Sequence, residues 1–449
     1  MNETEPRRRP LRSPSFVGRE RELAELMLGL DDVRAGRGRL FLVAGEPGIG
    51  KTRLVEEVAL EAARSGAIAL WARCREWPGA PPFWPWIQAL RDLVARASRE
   101  RLGRWLGPGA TSLTQLLPEL RGRFADLEQP AVAADSEHGR FYLFDAVTNC
   151  LRSAAAETPL VLVFDDLQAA DVSSLRLLEF VARELRSARL LVLGTHREPE
   201  IALPSVAESL ALLGRDGERL PLRGLSEPEV RRFVEAVAGE PISPRLAQAL
   251  HAETDGNPFF LDELVRVLAA EGTLGRGESS APLGFPVPQG VRAAILRRIS
   301  PLTEQSRELL ALASVAGREF ETVCLARAAE LDEETLLETL HDAFAAGVLL
   351  RDAASFERLR FSHAQVREVL YDEIPPSRRV RLHRRIGEVL HALHRGNLDA
   401  HAAELAHHFL ESAAIDDGEL GVEYAERAAR HAGAAFAYEE AIALYRGAL

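Results

Sequence analysis

Gly45-Glu46-Pro47-Gly48-Ile49-Gly50-Lys51-Thr52 is the stretch on which the fold turns. Its spacing, Gly-x4-Gly-Lys-Thr, is that of a nucleoside-triphosphate P-loop. Leu40-Phe41-Leu42-Val43-Ala44 before it reads as a short buried strand. From Thr52 to Ala63 the apolar residues recur at helical spacing, with Leu54, Val55, Val58, Ala59 and Ala62 on one side. Strand, glycine loop and helix together aim backbone N–H groups at phosphate oxygens at a helix N-terminus. Composition singles out the same place. Of the 55 lysines and arginines only one is a lysine, and it is Lys51. A compact ammonium suits this position in a way that a planar, forked guanidinium does not.

Working outward, Leu160-Val161-Leu162-Val163-Phe164 is a continuous apolar run, the pattern of a strand buried on both faces. It ends in Asp165-Asp166. A P-loop ATPase needs one acid for Mg²⁺ and one to position the attacking water. Asp165 is expected to hold Mg²⁺, largely through its water shell, with the Thr52 hydroxyl as a direct ligand. Asp166 is expected to orient or activate water. A helix-capping pair of aspartates is the plainer alternative. The next strand, Leu190-Leu191-Val192-Leu193-Gly194-Thr195, leads to His196-Arg197 at the same end of a parallel sheet. Arg197 stands where a γ-phosphate sensor is needed, and arginine suits a two-pronged oxyanion contact. Ala67 to Arg73 is a further strand candidate. Strands alternating with helices imply an α/β domain over residues 16–204, with its ligand beyond the carboxyl ends of the strands.

Past that domain, residues 205–271 read as helical and strand-poor, a lid. Gly256-Asn257-Pro258-Phe259-Phe260 opens a helix there, with Pro258 in its first turn. Residues 272–289 are rich in Gly, Ser and Pro and read as a linker. Residues 290–375 give helices and then two short strand candidates, Gly347 to Leu350 and Arg358 to Phe361, the pattern of a winged helix. Residues 376–449 read as helical throughout. Tyr438 to Leu449 looks like the second helix of a tetratricopeptide repeat. One incomplete repeat cannot bury its own face, so the expectation is a fragment or a short version of a longer protein. Trp77 to Trp86 is dense in tryptophan and proline, which excludes a regular helix or central strand. It reads as an aromatic plug on the domain side, with a partner surface as the alternative.

The bulk numbers exclude several classes. At 449 residues the chain has room for about three domains. A formal net charge of −12 leaves no global nucleic-acid footprint. Cys74, Cys150 and Cys324 lie far apart and read as buried hydrophobes in a reducing compartment. No apolar run is long enough for a transmembrane helix, and no signal-peptide core precedes residue 16. Residues 1–15, with Arg7, Arg8, Arg9 and Arg12 among prolines, read as a disordered basic tail. The expected location is the cytoplasm.

Together these residues resemble the STAND signal-transduction ATPases, a branch of the AAA+ superfamily. They are most similar to the ATPase core of large LuxR-type, maltose-regulator-like transcription activators. The resemblance is carried by Phe16-Val17-Gly18-Arg19-Glu20, the P-loop, Leu162 to Asp171, Gly194 to Glu198, Gly256 to Leu264, and Phe361-Ser362-His363 through Tyr371. It implies an α/β P-loop NTPase with an AAA+-type parallel sheet, followed by a helical lid, a winged-helix domain and the start of a TPR-like α-solenoid. It implies ATP or ADP with Mg²⁺, held by Gly45 to Thr52 and Arg53. Phe16, Val17 and the Pro258 ring would cradle adenine, and Lys51, Asp166 and Arg197 would serve the chemistry. His363 would touch the ADP β-phosphate and lock a closed state. The partners implied are ATP, an inducer or protein read by the C-terminal helices, and further copies of the chain in the ATP state. DNA would be reached only through a domain not evident here, and no membrane is involved. Where relatives read Asp-Asp-Leu-His-Trp-Ala-Asp, this chain has Asp165-Asp166-Leu167-Gln168-Ala169-Ala170-Asp171, which bears on hydrolysis. The expected function is a slow ATP-dependent switch in transcriptional regulation. An origin-binding or remodelling ATPase and a non-catalytic nucleotide-binding scaffold are the alternatives.

Overall fold

The computed structural model describes residues 16–74, 81–124, 137–197, 204–270, 291–351, 357–416 and 418–448. The tail at 1–15 and the expected linker lie outside the described residues.

Five strands form a parallel sheet: β1 (Arg39–Ala44), β2 (Ile68–Arg73), β3 (Leu160–Asp165), β4 (Leu190–His196) and β5 (Glu218–Pro221), in the order β2-β3-β4-β1-β5. Alternation of side chains along each strand divides the interior into two layers. Phe41, Val43, Val161, Val163, Leu191 and Leu193 face a cluster shared with the helices Glu20–Arg34 and Lys51–Arg64. Leu40, Leu42, Leu160, Leu162, Phe164, Leu190 and Val192 face the other cluster, shared with Glu137–Glu157 and Val172–Arg183. Both faces are covered, so the central strands carry no polar side of their own. The register sets Ala44 beside His196 and Arg73 beside Asp165, so the strands end at one common edge.

β5 corrects the expected domain boundary. The helix Pro204–Asp216 and β5 were assigned to a strand-poor lid, yet β5 pairs in parallel with β1 and closes the sheet edge. Only one of its four residues, Leu220, is buried, so no hydrophobic run announces it. The rest of the expected lid is the helices Glu227–Ala238, Pro244–Thr254 and Pro258–Ala270, which have an apolar cluster of their own.

The tryptophan-rich segment is partly corrected. A helix starts at Trp84 despite the neighbouring prolines, because Pro85 falls in the first turn, where its missing N–H is not needed. Phe83 and Trp86 are fully buried. Trp86 Nε1 donates to the Ser174 carbonyl at 3.0 Å, and its ring meets Phe164 edge-on at 4.9 Å. These two residues act as the plug, while Trp77 lies outside the described residues.

Beyond residue 290, helices surround a three-stranded antiparallel sheet ordered β6-β8-β7, from β6 (Glu319–Glu321), β7 (Leu349–Arg351) and β8 (Arg358–Phe361). β6 was not expected. The division expected at 376 is not a break in packing, because one apolar cluster runs from Ile295 to Ala428. The last helices return to the ATPase side. Phe436, Ala437 and Ala441 join the cluster beneath the sheet. Phe436 seats on Gly139, where an added Cβ would come within 2.6 Å of the ring. Glu440 accepts from the Ser173 N–H (3.2 Å) and hydroxyl (2.7 Å) at the start of Val172–Arg183. Glu439 pairs with Arg176 (3.0 Å) and Arg140 (3.5 Å). Among the described residues, no helix is long and apolar enough to cross a membrane.

Candidate nucleotide site

The site lies past the carboxyl edge of the sheet, where β1 passes into Lys51–Arg64. The loop between them turns at Gly48, with φ of +81°. The lid comes so close there that a Cβ would meet Phe259 Cβ at 2.6 Å and Asn257 Oδ1 at 3.0 Å. Glycine is thus required both by the backbone and by the neighbouring lid. Asn257 ties the two together. Its Nδ2 donates to the Pro47 carbonyl at 3.0 Å, and its Oδ1 accepts from the Phe259 N–H at 3.1 Å.

Lys51 is buried, and its Nζ donates to the Gly45 and Glu46 carbonyls, both at 2.9 Å. Its pKa is lowered to about 8, chiefly by burial and also by Arg197, while Asp166, Asp165 and Glu46 oppose the shift. An anion in the loop would favour the charged form.

Asp165 ends β3. Its Oδ1 accepts from Thr52 Oγ1 at 2.8 Å and from Thr195 Oγ1 at 2.7 Å. Burial and then Asp166 raise its pKa, while the two hydroxyl donors lower it. A cation beside it would offset that burial cost. Among the described residues, no cluster of three or more His, Cys, Asp or Glu could cage a metal. One hydroxyl and one carboxylate fit Mg²⁺, which keeps waters and takes phosphate oxygens for the rest of its shell.

Asp166 adopts a left-handed backbone, φ +62°, and its N–H donates to Thr195 Oγ1 at 2.8 Å. Its carboxylate accepts from Gln168 Nε2 at 3.1 Å and from Arg318 at 3.3 Å. Gln168 Oε1 in turn accepts from the Arg197 N–H at 3.0 Å. Gln168 thus links Asp166 to the segment after β4. Arg197 contacts Glu368 at 3.4 Å.

A cavity of about 420 Å³ gathers most of the expected residues. Phe16, Val17, Pro47 to Arg53, Asp166, Arg197, Pro258 and His363 all line it. Asp165 lines an adjoining pocket together with Thr52, Asp166 and Arg197. Gly45 and Glu46 are not among the lining residues of either cavity and instead offer their carbonyls to Lys51. His363 stacks on Phe259, with ring centroids 4.1 Å apart, and its Nδ1 accepts from the Gln365 N–H. Burial first, and then Arg318, push its pKa down to about 3, so the ring is neutral near pH 7.

Sequence reasoning noted Gln168 only as a departure bearing on hydrolysis, and it missed Thr195, Asn257, Arg318 and Glu368 as site residues. Arginine and glutamate are so frequent in this chain that neither Arg318 nor Glu368 stands out. Asn257 did carry a signal, because it precedes Pro258 in the motif already singled out.

With this geometry in hand, known proteins offer a comparison. Residues 15–193 match the AAA ATPase domain family. An uncharacterized protein of Rhizobium meliloti (strain 1021) is 24% identical over 398 residues, covering 83% of this chain and 36% of its own length. Hybrid signal transduction histidine kinase G of Dictyostelium discoideum is 28% identical over 188 residues, covering 38% of this chain and 5% of that protein. Among solved structures, the STAND protein with a tetratricopeptide repeat sensor from Pyrococcus horikoshii aligns with a TM-score of 0.53 at 15% identity, covering 98% of this chain and 59% of that one. Residues 15–193 thus match the AAA ATPase domain, and the overall fold resembles that of the Pyrococcus horikoshii STAND protein. It spans about a third of the Rhizobium relative and a small part of the kinase.

Proposed function

We propose that this chain is the nucleotide-operated part of a signal-transduction switch, with slow regulatory ATP hydrolysis, working in the cytoplasm within a transcriptional regulator. The observation that carries the reading is that three parts of the chain meet at one cavity: the sheet domain, the lid and the β6–β8 unit. A fast enzyme needs an open route for exchange, whereas a latch needs its nucleotide held between moving parts.

In this reading Lys51 leaves the Gly45 and Glu46 carbonyls for β- and γ-phosphate oxygens. The N–H groups from Gly48 to Thr52 close around the phosphates, and Phe16, Val17 and Pro258 bracket the base. Thr52 and Asp165 hold Mg²⁺, which supplies charge neutralisation to the phosphates when bound. Asp166 orients the attacking water, with Gln168 fixing one of its oxygens. Arg197 reads the γ-phosphate. Neutral His363, stacked on Phe259, offers a polar edge to ADP from the β6–β8 unit, which the reading treats as a winged helix. The C-terminal helices, treated as the first TPR-like repeats, would carry an inducer's signal through Glu439 and Glu440 to the helix that follows Asp171. A ligand shifts such a balance only by binding one state better than the other.

The test is hydrogen exchange of the full chain with ADP and with a non-hydrolysable ATP analogue. The reading expects segments 357–372 and 438–448 to exchange faster with the ATP analogue. Equal protection in both states counts against a switch.

A further inference from the structure

Two ion pairs cross from the β6–β8 unit to the phosphate side of the cavity, and they run in opposite sense. Arg318, just before β6, reaches Asp166 at 3.3 Å. Glu368, in the helix Ala364–Asp372, accepts at Oε1 from both terminal nitrogens of Arg197, at 3.4 and 3.5 Å. The core thus offers one acid and one base to the terminal phosphate, and each is met by its opposite from the same neighbouring unit. The glutamate carboxylate sits on a guanidinium that is only 18% exposed and lines the nucleotide cavity.

We propose that Glu368 occupies Arg197 in place of the γ-phosphate, so that this closed arrangement favours ADP over ATP. The inference rests on the switch reading above and names the residue that sets its nucleotide preference. A γ-phosphate approaching Arg197 competes with Glu368 for the same donors and brings like charge beside it. ADP leaves the Arg197–Glu368 pair in place. With ATP bound, Arg197 and Arg318 both gain a phosphate as an alternative partner, while Glu368 gains none. Glu368 therefore bears the conflict, and its helix is the element driven off the core. Glu368 acts through Arg197, so it is a positioning residue.

The experiment measures Kd for ADP and for a non-hydrolysable ATP analogue on the full chain by calorimetry. Glu368→Gln is expected to tighten the analogue about fivefold, the worth of one half-exposed ion pair, with ADP within about twofold. Glu368→Asp is expected to restore the wild-type ratio in large part. In the Arg197→Ala background, Glu368→Gln is expected to change neither affinity. The side chain of Glu368 is 39% exposed, and an unchanged melting temperature checks that folding is intact. An unchanged ratio, or an equal shift in both affinities, overturns the inference while leaving the switch reading standing. Failure of the wild-type chain to bind either nucleotide overturns both.

Discussion

The hydroxyl of Thr195 donates to Asp165 Oδ1 at 2.7 Å and accepts the N–H of Asp166 at 2.8 Å. One fully buried side chain at the end of β4 thus fixes both Asp165, which ends β3, and Asp166 just after it. It also supports the left-handed turn at Asp166, φ +62°, which carries that carboxylate out toward the cavity.

Thr195→Val keeps the shape and removes both bonds. It should cost about 1–3 kcal/mol of stability, because buried polar groups lose their partners. Urea unfolding measures this. ATP turnover should fall more than ATP affinity, since Lys51 and the P-loop are untouched.

Asn257→Ala should uncouple the lid from the P-loop. The side chain is 2% exposed and spans Pro47 O and Phe259 N–H. ADP affinity should weaken about tenfold, equivalent to one lost net hydrogen bond. Fluorescence titration with a labelled ADP checks it.

Phe436→Ala should release the last helices from the ATPase side. The ring is fully buried against Gly139, and such truncations cost about 3–5 kcal/mol. Limited proteolysis should then cut first within 438–448. Gly139→Val should have the same effect, because its Cβ would enter the Phe436 ring.

The sheet domain was legible in the sequence wherever chemistry or burial was concentrated. The P-loop glycines, Lys51, and the apolar runs of β3 and β4 each carry a pattern that allows few other readings. β5 was not legible, because four mostly exposed residues on a sheet edge need no apolar alternation. β6 hid for a similar reason, since Glu319-Phe320-Glu321 pairs across the chain with Arg358 to Arg360 rather than with a neighbour in sequence. The residues proposed to bind phosphate lie in local motifs, so the sequence displays them directly. Arg318 reaches the nucleotide cavity, and Glu368 the pocket adjoining it, through tertiary packing alone.

Acid should destabilise the C-terminal half. His383 and His408 are each 1% exposed, and their Nδ1 atoms face each other at 3.1 Å. Burial first, and then His407, push His383 down to about 3; burial holds His408 well below its ordinary value. The unfolded chain takes up these protons below about pH 6.5 and the folded chain does not. Stability present above pH 6.5 is therefore lost as pH falls, by about 2 kcal/mol per histidine at pH 5. Urea unfolding at pH 7 and pH 5 should show the loss, and His383→Phe should reduce it.

The account depends above all on Lys51 as the phosphate-binding charge of a nucleotide switch. Calorimetric titration of ATP and ADP into wild type and Lys51→Ala, at matched folding, tests that most directly. The expected result is measurable binding of both nucleotides by wild type, with loss of about 100-fold or more of ATP affinity in the variant, as befits a buried charge contact to phosphate. Equal ATP affinity in the two proteins would contradict the account.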